Sequence, residues 1–245
     1  MLGASKATTT REYQLLDTGT ITSTGSQSYT IPAGTRYLEI ELWAGGGGGA
    51  YGNHYIGRFD TTYYRGGGGG GGSYIKHIYY GAADMQEDDT LNFTVGAGGA
   101  KGTSISDSGD NGGDTTLDTH KRSATIITTF TVDAGGGGGG RRPSGTYFGQ
   151  PNSEAGTATN EGNTTNTDGV AGEVTTGYAS HPSDGGAGGA GGNGGAGGDG
   201  ATIVVPGASA EEGTLAGGGG GGGLATTYLS GADGADGKVI VKAYG

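Results

Sequence analysis

The chain has 245 residues, of which 63 are glycine, and a formal net charge of −11. This acidic excess argues against a nucleic-acid or anionic-membrane partner, and the absence of cysteine excludes disulfides and thiolate metal sites. We expect no signal peptide within residues 1–13 and no membrane insertion, because neither that segment nor any other is sufficiently apolar.

Short segments that alternate apolar and polar residues predict β-strands between the glycine-rich stretches. In residues 37–43, YLEIELW, for example, every second residue is leucine or isoleucine. Helical periodicity with capping residues is absent, so we expect an all-β protein without an α-helix. The predicted strands are 28–34, 37–43, 73–80, 90–95, 124–132, 201–205 and 238–244.

The glycines are concentrated in nearly pure blocks rather than spread along the chain. A flexible linker usually mixes serine with glycine, so these blocks predict ordered structure. In residues 184–200, DGGAGGAGGNGGAGGDG, every third residue is something other than glycine. The blocks are 45–49, 66–72, 135–140, 185–200 and 217–223.

A repeat of three residues is the period of the polyproline II type of helix, which glycine forms readily. Such a helix has no internal hydrogen bonds, so its buried amides and carbonyls must bond to neighbouring helices. We therefore predict a small β-sandwich joined to a bundle of packed polyglycine II helices. Residues 184–200 should form one helix on the outside of the bundle, with 66–72 and 217–223 in its middle.

An ordered series of motifs supports a family resemblance. It runs from TIPAG at 30–34 and YLEIELWAGGGGG at 37–49, through GGGGGGGSYIKHI, DTLNFTVGAGG and GGDTTL, to a closing GADGKVIVKAYG at 234–245. Over roughly residues 27–245 the chain resembles the glycine-rich domain of tailed-phage appendage proteins, most closely the polyglycine-sandwich adhesins at the tips of long tail fibres. The resemblance implies a non-enzymatic virion protein, on an exterior appendage or surface, whose loops bind a host protein or glycan.

The N-terminal part of the chain departs from the adhesin pattern. Where the adhesins have an attachment domain, this sequence has only residues 1–25, which we expect to attach it to other virion proteins; residues 26–245 would form the glycine-rich domain. The alternative function is a structural virion protein, a capsid decoration or fibre subunit docked by that segment. A homotrimer is considered because symmetric trimers are common on virions, and ice binding is disfavoured by the long aromatic loops.

Three loops between glycine blocks are candidates for receptor binding. The loop at 50–65, AYGNHYIGRFDTTYYR, is rich in aromatic residues, which either contact a receptor or pack over the glycine blocks. The loop at 141–183 is long and polar, and the third is LATTYLS at 224–230. The receptor-contact candidates are Tyr51, His54, Tyr55, Arg58, Phe59, Tyr63, Tyr64, Tyr147, Phe148, Tyr178, His181 and Tyr228.

No pattern in the sequence predicts catalysis. Matches to GxGxxG are expected by chance at this glycine content, the four histidines lie far apart, and no nucleophile elbow or carboxylate pair stands out. The stretch DSGDNGGD at 107–114 offers oxygen ligands of the kind that calcium prefers, but it is more typical of a solvated turn. We therefore expect no enzyme activity, no cofactor and no metal.

Overall fold

A computed structural model of the protein describes residues 12–56, 61–64, 66–80, 85–104, 107–141, 153–159, 164–173, 187–193, 195–199, 212–214, 216–221 and 230–245. Over these residues the fold is all-β and contains no helix, which confirms the predicted class. None of the described segments is therefore a helix that could cross a membrane.

The strands form two five-stranded antiparallel sheets and one separate hairpin. The first sheet contains, in spatial order, β1 (Leu15–Ile21), β12 (Lys238–Tyr244), β3 (Tyr37–Trp43), β6 (Tyr74–Tyr79) and β11 (Thr164–Thr167). The second contains β10 (Ala158–Thr159), β9 (Thr125–Ala134), β8 (Thr115–Arg122), β7 (Thr90–Val95) and β2 (Gly25–Thr30). The hairpin pairs β4 (Asn53–Ile56) with β5 (Thr61–Tyr64).

The two sheets enclose the hydrophobic core of the protein. The alternating residues of β3 and β7 are buried on the inner faces, and Leu38, Ile40, Leu91 and Phe93 are fully inaccessible to solvent. Burying one such side chain stabilises a fold by about 1.5–3 kcal/mol. The period of two in the sequence therefore identifies the core faces of these strands correctly.

Four strands of the sandwich, β1, β8, β10 and β11, are not predicted by the sequence. The short strands β10 and β11 lie within residues 141–183, which the sequence analysis treats as one long loop. The edge strand β1 lies within residues 1–25 and pairs with β12, but most of its residues are exposed, so it carries little apolar pattern. In β8 the buried residues are Thr115, Leu117 and His120, and the register shift after Leu117 interrupts the period of two. The predicted strand at 201–205 lies outside the described residues.

The glycine blocks belong to extended segments that connect directly to the strands. Segment 44–51 follows β3, segment 66–73 leads into β6, segment 96–102 follows β7, and segment 135–141 follows β9. We call these four, together with residues 107–114, 153–157, 168–173, 187–193, 195–199, 216–221 and 230–237, the glycine segments. The sandwich lies at one end of the glycine segments, and we call their opposite end the distal end.

Segment 44–51 is surrounded by six other glycine segments. Its consecutive amides donate hydrogen bonds to three of them in rotation, so that every third amide returns to the same neighbour. At 2.8–3.0 Å, the amides of residues 45 to 50 donate in turn to the carbonyl oxygens of Gly113, Ala235, Gly70, Asp110, Ala232 and Gly67. Its carbonyls accept from the other three neighbours, through the amides of Gly137, Gly99 and Gly220.

This packing leaves no room for side chains in the interior. A Cβ added to Gly46 would overlap the carbonyl oxygen of Gly218, and one added to Gly69 would overlap that of Gly47. Segment 66–73 also has neighbours on all sides, and residues 217–221 are buried, so the described parts of both blocks lie in the middle as predicted.

Residues 187–199 form two antiparallel segments, so the prediction of one continuous helix over 184–200 is wrong. The amide of Gly188 donates to the carbonyl of Gly198 at 2.8 Å, and that of Gly191 to Gly195 at 2.7 Å, because the chain reverses at Asn193. Asn193 has a φ of 54°, a conformation that asparagine tolerates better than most residues. The predicted exposed edge is confirmed at Ala190, Asn193, Ala196 and Asp199.

Candidate recognition surface

The distal end of the bundle is where the glycine segments finish in connecting loops. Its outermost described hydrogen bonds join Tyr51 to Asp107, Gly67 to Arg141, and Glu173 to Ala187. Residues 57–60, 142–152, 174–186 and 222–229 lie outside the described residues, but the described segments next to them end at this layer. The described segments next to candidate loops 50–65 and 224–230 therefore reach the distal end. The prediction of one long loop over 141–183 is wrong, because residues 153–159 and 164–173 run from the distal end to the sandwich and back and contribute β10 and β11 to its sheets.

The hairpin of β4 and β5 connects the two most enclosed glycine segments, 44–51 and 66–73. Its register pairs His54 with Tyr63 and Tyr55 with Thr62. Both ends of the hairpin are thus held by segments that bond to neighbours on every side. The hairpin therefore starts and ends at the centre of the distal end.

The structure places five of the candidate contact residues in or beside this hairpin. Tyr51 is half-buried at the end of its segment, and its amide donates to the carbonyl of Asp107 at 3.4 Å. His54, Tyr55, Tyr63 and Tyr64 belong to the two strands. The other candidates, which are Arg58, Phe59, Tyr147, Phe148, Tyr178, His181 and Tyr228, lie outside the described residues.

A set of capping side chains at the bundle surface is missed by the sequence analysis. Peripheral segments have amides that point away from the bundle, and Asp or Asn side chains accept hydrogen bonds from them. Because these amides recur every third residue, the caps do too, and this spacing is the signal that could have found them. Asn111 and Asp114 cap Gly139 and Gly136 at 2.8 Å, while Asp233 and Asp236 cap Lys101 at 2.8 Å and Gly98 at 2.7 Å.

These caps give the acidic stretch 107–114 a structural role. The side chains of Asn111 and Asp114 are engaged with glycine amides, and Asp107 accepts a hydrogen bond from the Thr103 hydroxyl at 3.4 Å. The part of the chain that the structure describes contains no group of three His, Asp or Glu residues placed to hold a metal ion.

A buried polar network joins the two sheets away from the distal end. Asp89, which is 1% exposed, accepts hydrogen bonds from Arg122 at 2.9 and 3.0 Å and contacts His120 Nε2 at 3.0 Å. The Nδ1 atom of His120 lies 3.0 Å from the Tyr79 hydroxyl on the other sheet. His120 is fully buried, so a substrate cannot reach this group without unfolding, and we assign it to structure.

The charge of Asp89 is stabilised within this network. Burial alone would raise the pKa of Asp89, but hydrogen bonds from Arg122, the Gln86 amide and His120 outweigh it and lower the pKa to about 2. The carboxylate therefore stays ionised at neutral pH and cross-links β7 and β8 near the start of β7.

The comparison with known families matches the whole fold rather than one site. A family model described as a glycine-rich domain covers residues 21–244. That range begins at the last residue of β1 and includes the other nine strands of the two sheets, the hairpin and every described glycine segment. No curated protein matches the sequence.

Proposed function

The chain belongs to the family of glycine-rich domains. From the resemblance of residues 27–245 to the glycine-rich domain of tailed-phage appendage proteins, we propose that it is a non-enzymatic protein of a tailed-phage virion that binds a receptor on the host surface. In this proposal the protein lies on an exterior appendage or surface of the particle. The distal loops contact a host protein or glycan, and residues 1–25 contact other virion proteins.

The proposal requires a rigid scaffold, and we infer that the glycine segments supply it as polyglycine II helices. Three residues per turn would send consecutive amides in three directions, which is the rotation of partners that segment 44–51 has. One hydrogen bond contributes only about 0.5–1.5 kcal/mol, while ordering a glycine costs about 0.5–1 kcal/mol more than ordering an alanine. The helices are therefore stable only together, and their common packing makes the scaffold rigid.

The observation that carries the receptor-binding proposal is the position of the aromatic hairpin. It connects 44–51 with 66–73, so its base is fixed by main-chain bonds to neighbours on all sides. Aromatic residues on a fixed support lose little conformational entropy on binding, and their rings stack on sugars and on protein surfaces. The remaining candidate loops start from the same end and would extend the contact area.

Binding to cells tests this function directly. We expect purified protein at micromolar concentration to adsorb to the bacterium whose phage encodes it and to reduce infection by that phage. Alanine substitution of Tyr63 and Tyr64 should lower adsorption, whereas Tyr80→Ala, at an exposed position of the sandwich, should leave it unchanged. Absence of adsorption, or equal adsorption by both variants, contradicts a receptor-binding role for the hairpin.

A structural role in the virion is the second candidate, and one surface favours it. Tyr13, Leu15 and Leu16 are 49%, 55% and 44% exposed; the two leucines begin β1, Tyr13 precedes it, and all three belong to the segment proposed for attachment. Large apolar side chains that are exposed within one short segment can serve as a protein contact. Imaging of labelled protein on the intact particle distinguishes the two candidates: a capsid or fibre-shaft position supports the structural role, and a fibre tip supports receptor binding.

A further inference from the structure

We propose that a groove beside segment 231–237 binds an extended peptide of another protein, with glycine at two positions in three and lysine or arginine at the third. The groove has a volume of about 760 Å³. One wall is formed by residues 98–100 and the other by Glu212, Gly213 and Ala216, while Thr22 and Lys238 lie at its sandwich end. The inference rests on the polyglycine II scaffold proposed above.

The floor of the groove presents main-chain donors at a spacing of three residues. The amides of Gly231, Gly234 and Gly237 donate to segment 96–102, and those of Ala232 and Ala235 donate to segment 216–221. The amides of Asp233 and Asp236 form the third edge, and none of the described residues accepts a hydrogen bond from them. Both residues line the groove.

The pattern of neighbours shows what kind of chain fits this edge. Around segment 44–51, neighbours that accept its amides alternate with neighbours that donate to its carbonyls. Segment 231–237 has the same alternation of neighbours. Segment 96–102 accepts its amides, segment 44–51 donates to its carbonyls, and segment 216–221 accepts its amides again. The fourth neighbour is Gly213, whose amide donates to the Asp233 carbonyl at 3.2 Å. The next position in that order would accept the amides of Asp233 and Asp236, and the groove lies there.

The ligand must therefore offer carbonyl oxygens three residues apart along one edge. A polyproline II or polyglycine II chain does so, because it has three residues per turn. The ligand can approach the floor of the groove closely only if it has glycine on the two edges that face the bundle. The same condition holds for the segments inside the bundle. Only the third residue of each turn can carry a side chain.

Charge determines what that third residue is. Glu212 and Asp236 are exposed at the groove, whereas Lys101 pairs with Asp233 at 3.5 Å and the Lys238 ammonium lies 5.6 Å from the centre of the Trp43 ring. None of the described cationic side chains forms an ion pair with Glu212 or Asp236, so the negative charge of these two residues favours a basic ligand. The period-three stretch of this chain has only Ala, Asn and Asp at its third positions, so we assign the ligand to a different protein.

Titration with repeat peptides tests the groove. A Gly-Gly-Lys repeat peptide added to the isotope-labelled full chain should give saturable NMR shifts of the Asp233 and Asp236 amides. A Gly-Val-Lys repeat has the same charge but blocked edges, and a Gly-Gly-Glu repeat has the opposite charge; each should bind about tenfold more weakly. Equal binding of all three peptides, or no shift of these two amides, overturns the proposal.

Two variants and one control locate the binding. Glu212→Lys and Ala100→Trp change exposed residues of the two walls, and each should weaken the Gly-Gly-Lys repeat about tenfold. Glu154→Lys makes the same charge change at an exposed residue outside the groove and should have no effect. Unchanged affinity in both wall variants, with native amide spectra, also overturns the proposal.

A separate measurement distinguishes failure of the groove from failure of the scaffold. Scalar coupling across the hydrogen bond from the Gly47 amide to the Gly70 carbonyl reports the packing of the central segments. If this coupling is present and no peptide binds, only the groove proposal fails. If the coupling is absent, the proposed scaffold fails, and the groove proposal fails with it.

Discussion

Asn111 Oδ1 accepts a hydrogen bond from the backbone amide of Gly139 at 2.8 Å, and this contact closes a peripheral edge of the glycine bundle. Three residues later in the sequence, Asp114 does the same for Gly136. Side-chain caps thus replace the neighbouring segment that an interior amide would have. They extend the three-residue period of the backbone to the side chains of the surface.

Removal of these caps should destabilise the protein without changing its core. We expect Asn111→Ala and Asp114→Ala each to lower the free energy of unfolding by about 0.5–1.5 kcal/mol, because a glycine amide loses its partner. Urea unfolding measures the effect. Asp110→Ala, an exposed position in the same stretch, is the control and should change stability little; an equal loss in all three variants contradicts the capping role.

Interior and exterior positions of the glycine segments should differ sharply in tolerance. Gly69→Val places a side chain on the carbonyl oxygen of Gly47, and Gly220→Val places one on that of Ala232, so both variants should unfold or aggregate. Ala190→Ser changes an exposed residue and should alter stability by less than about 0.5 kcal/mol. Soluble expression and thermal melting provide the comparison, and similar melting temperatures at both kinds of site would refute the packing.

The carboxylate of Asp89 should make the protein sensitive to strong acid. Its pKa is about 2 in the folded protein and near 3.8 when free, so the folded state binds the proton more weakly than the unfolded state. The stabilisation is complete above about pH 4 and falls by about 2 kcal/mol as the pH drops through about 2. Unfolding free energies across this range measure the loss, and NMR titration of the carboxyl checks the pKa; a pKa near 3.8 in the folded protein contradicts the prediction.

His77 and His120 are both buried, and we expect them to respond differently to replacement by leucine. Burial lowers the pKa of His77, and none of the described residues forms a hydrogen bond with its buried Nδ1 atom, so His77→Leu should retain stability or raise it by about 1 kcal/mol. His120→Leu should instead cost about 3 kcal/mol or more, because Asp89 loses a buried partner. Urea unfolding at neutral pH measures both, and equal effects would contradict this distinction.

The lowered pKa of His77 also predicts a dependence on mild acid. The folded state binds fewer protons than the unfolded state, so stability is complete above the ordinary value near 6.5 and is lost as the pH falls from there toward the folded pKa. His77→Leu should remove this part of the pH dependence. If the free energy of unfolding of the wild-type protein does not change between about pH 7 and 5, burial does not lower the pKa of His77 and the prediction is wrong.

The sequence predicts those parts of the fold in which local pattern and tertiary environment agree. The alternation of apolar and polar residues in β3 and β7 identifies the core faces of these strands, and the glycine blocks identify the segments that pack closely together. The sequence does not predict β8, because a register shift in that strand interrupts the alternation of buried and exposed residues. It does not predict the chain reversal at Asn193 either, because the glycines keep the same spacing on both sides of the reversal. The aromatic hairpin is recognisable from composition, but its central position depends on main-chain bonds between distant glycines, which leave no signal in side chains.

The rotation of hydrogen-bond partners around segment 44–51 also limits how such a sequence can change in length. Loss of one glycine would turn every later amide of that segment by about a third of a revolution, away from its acceptor and toward the wrong neighbour. Insertions and deletions inside the bundle are therefore restricted to whole turns of three residues. The distal loops carry no such restriction, and they can lengthen or shorten by any number of residues while the bundle keeps its register.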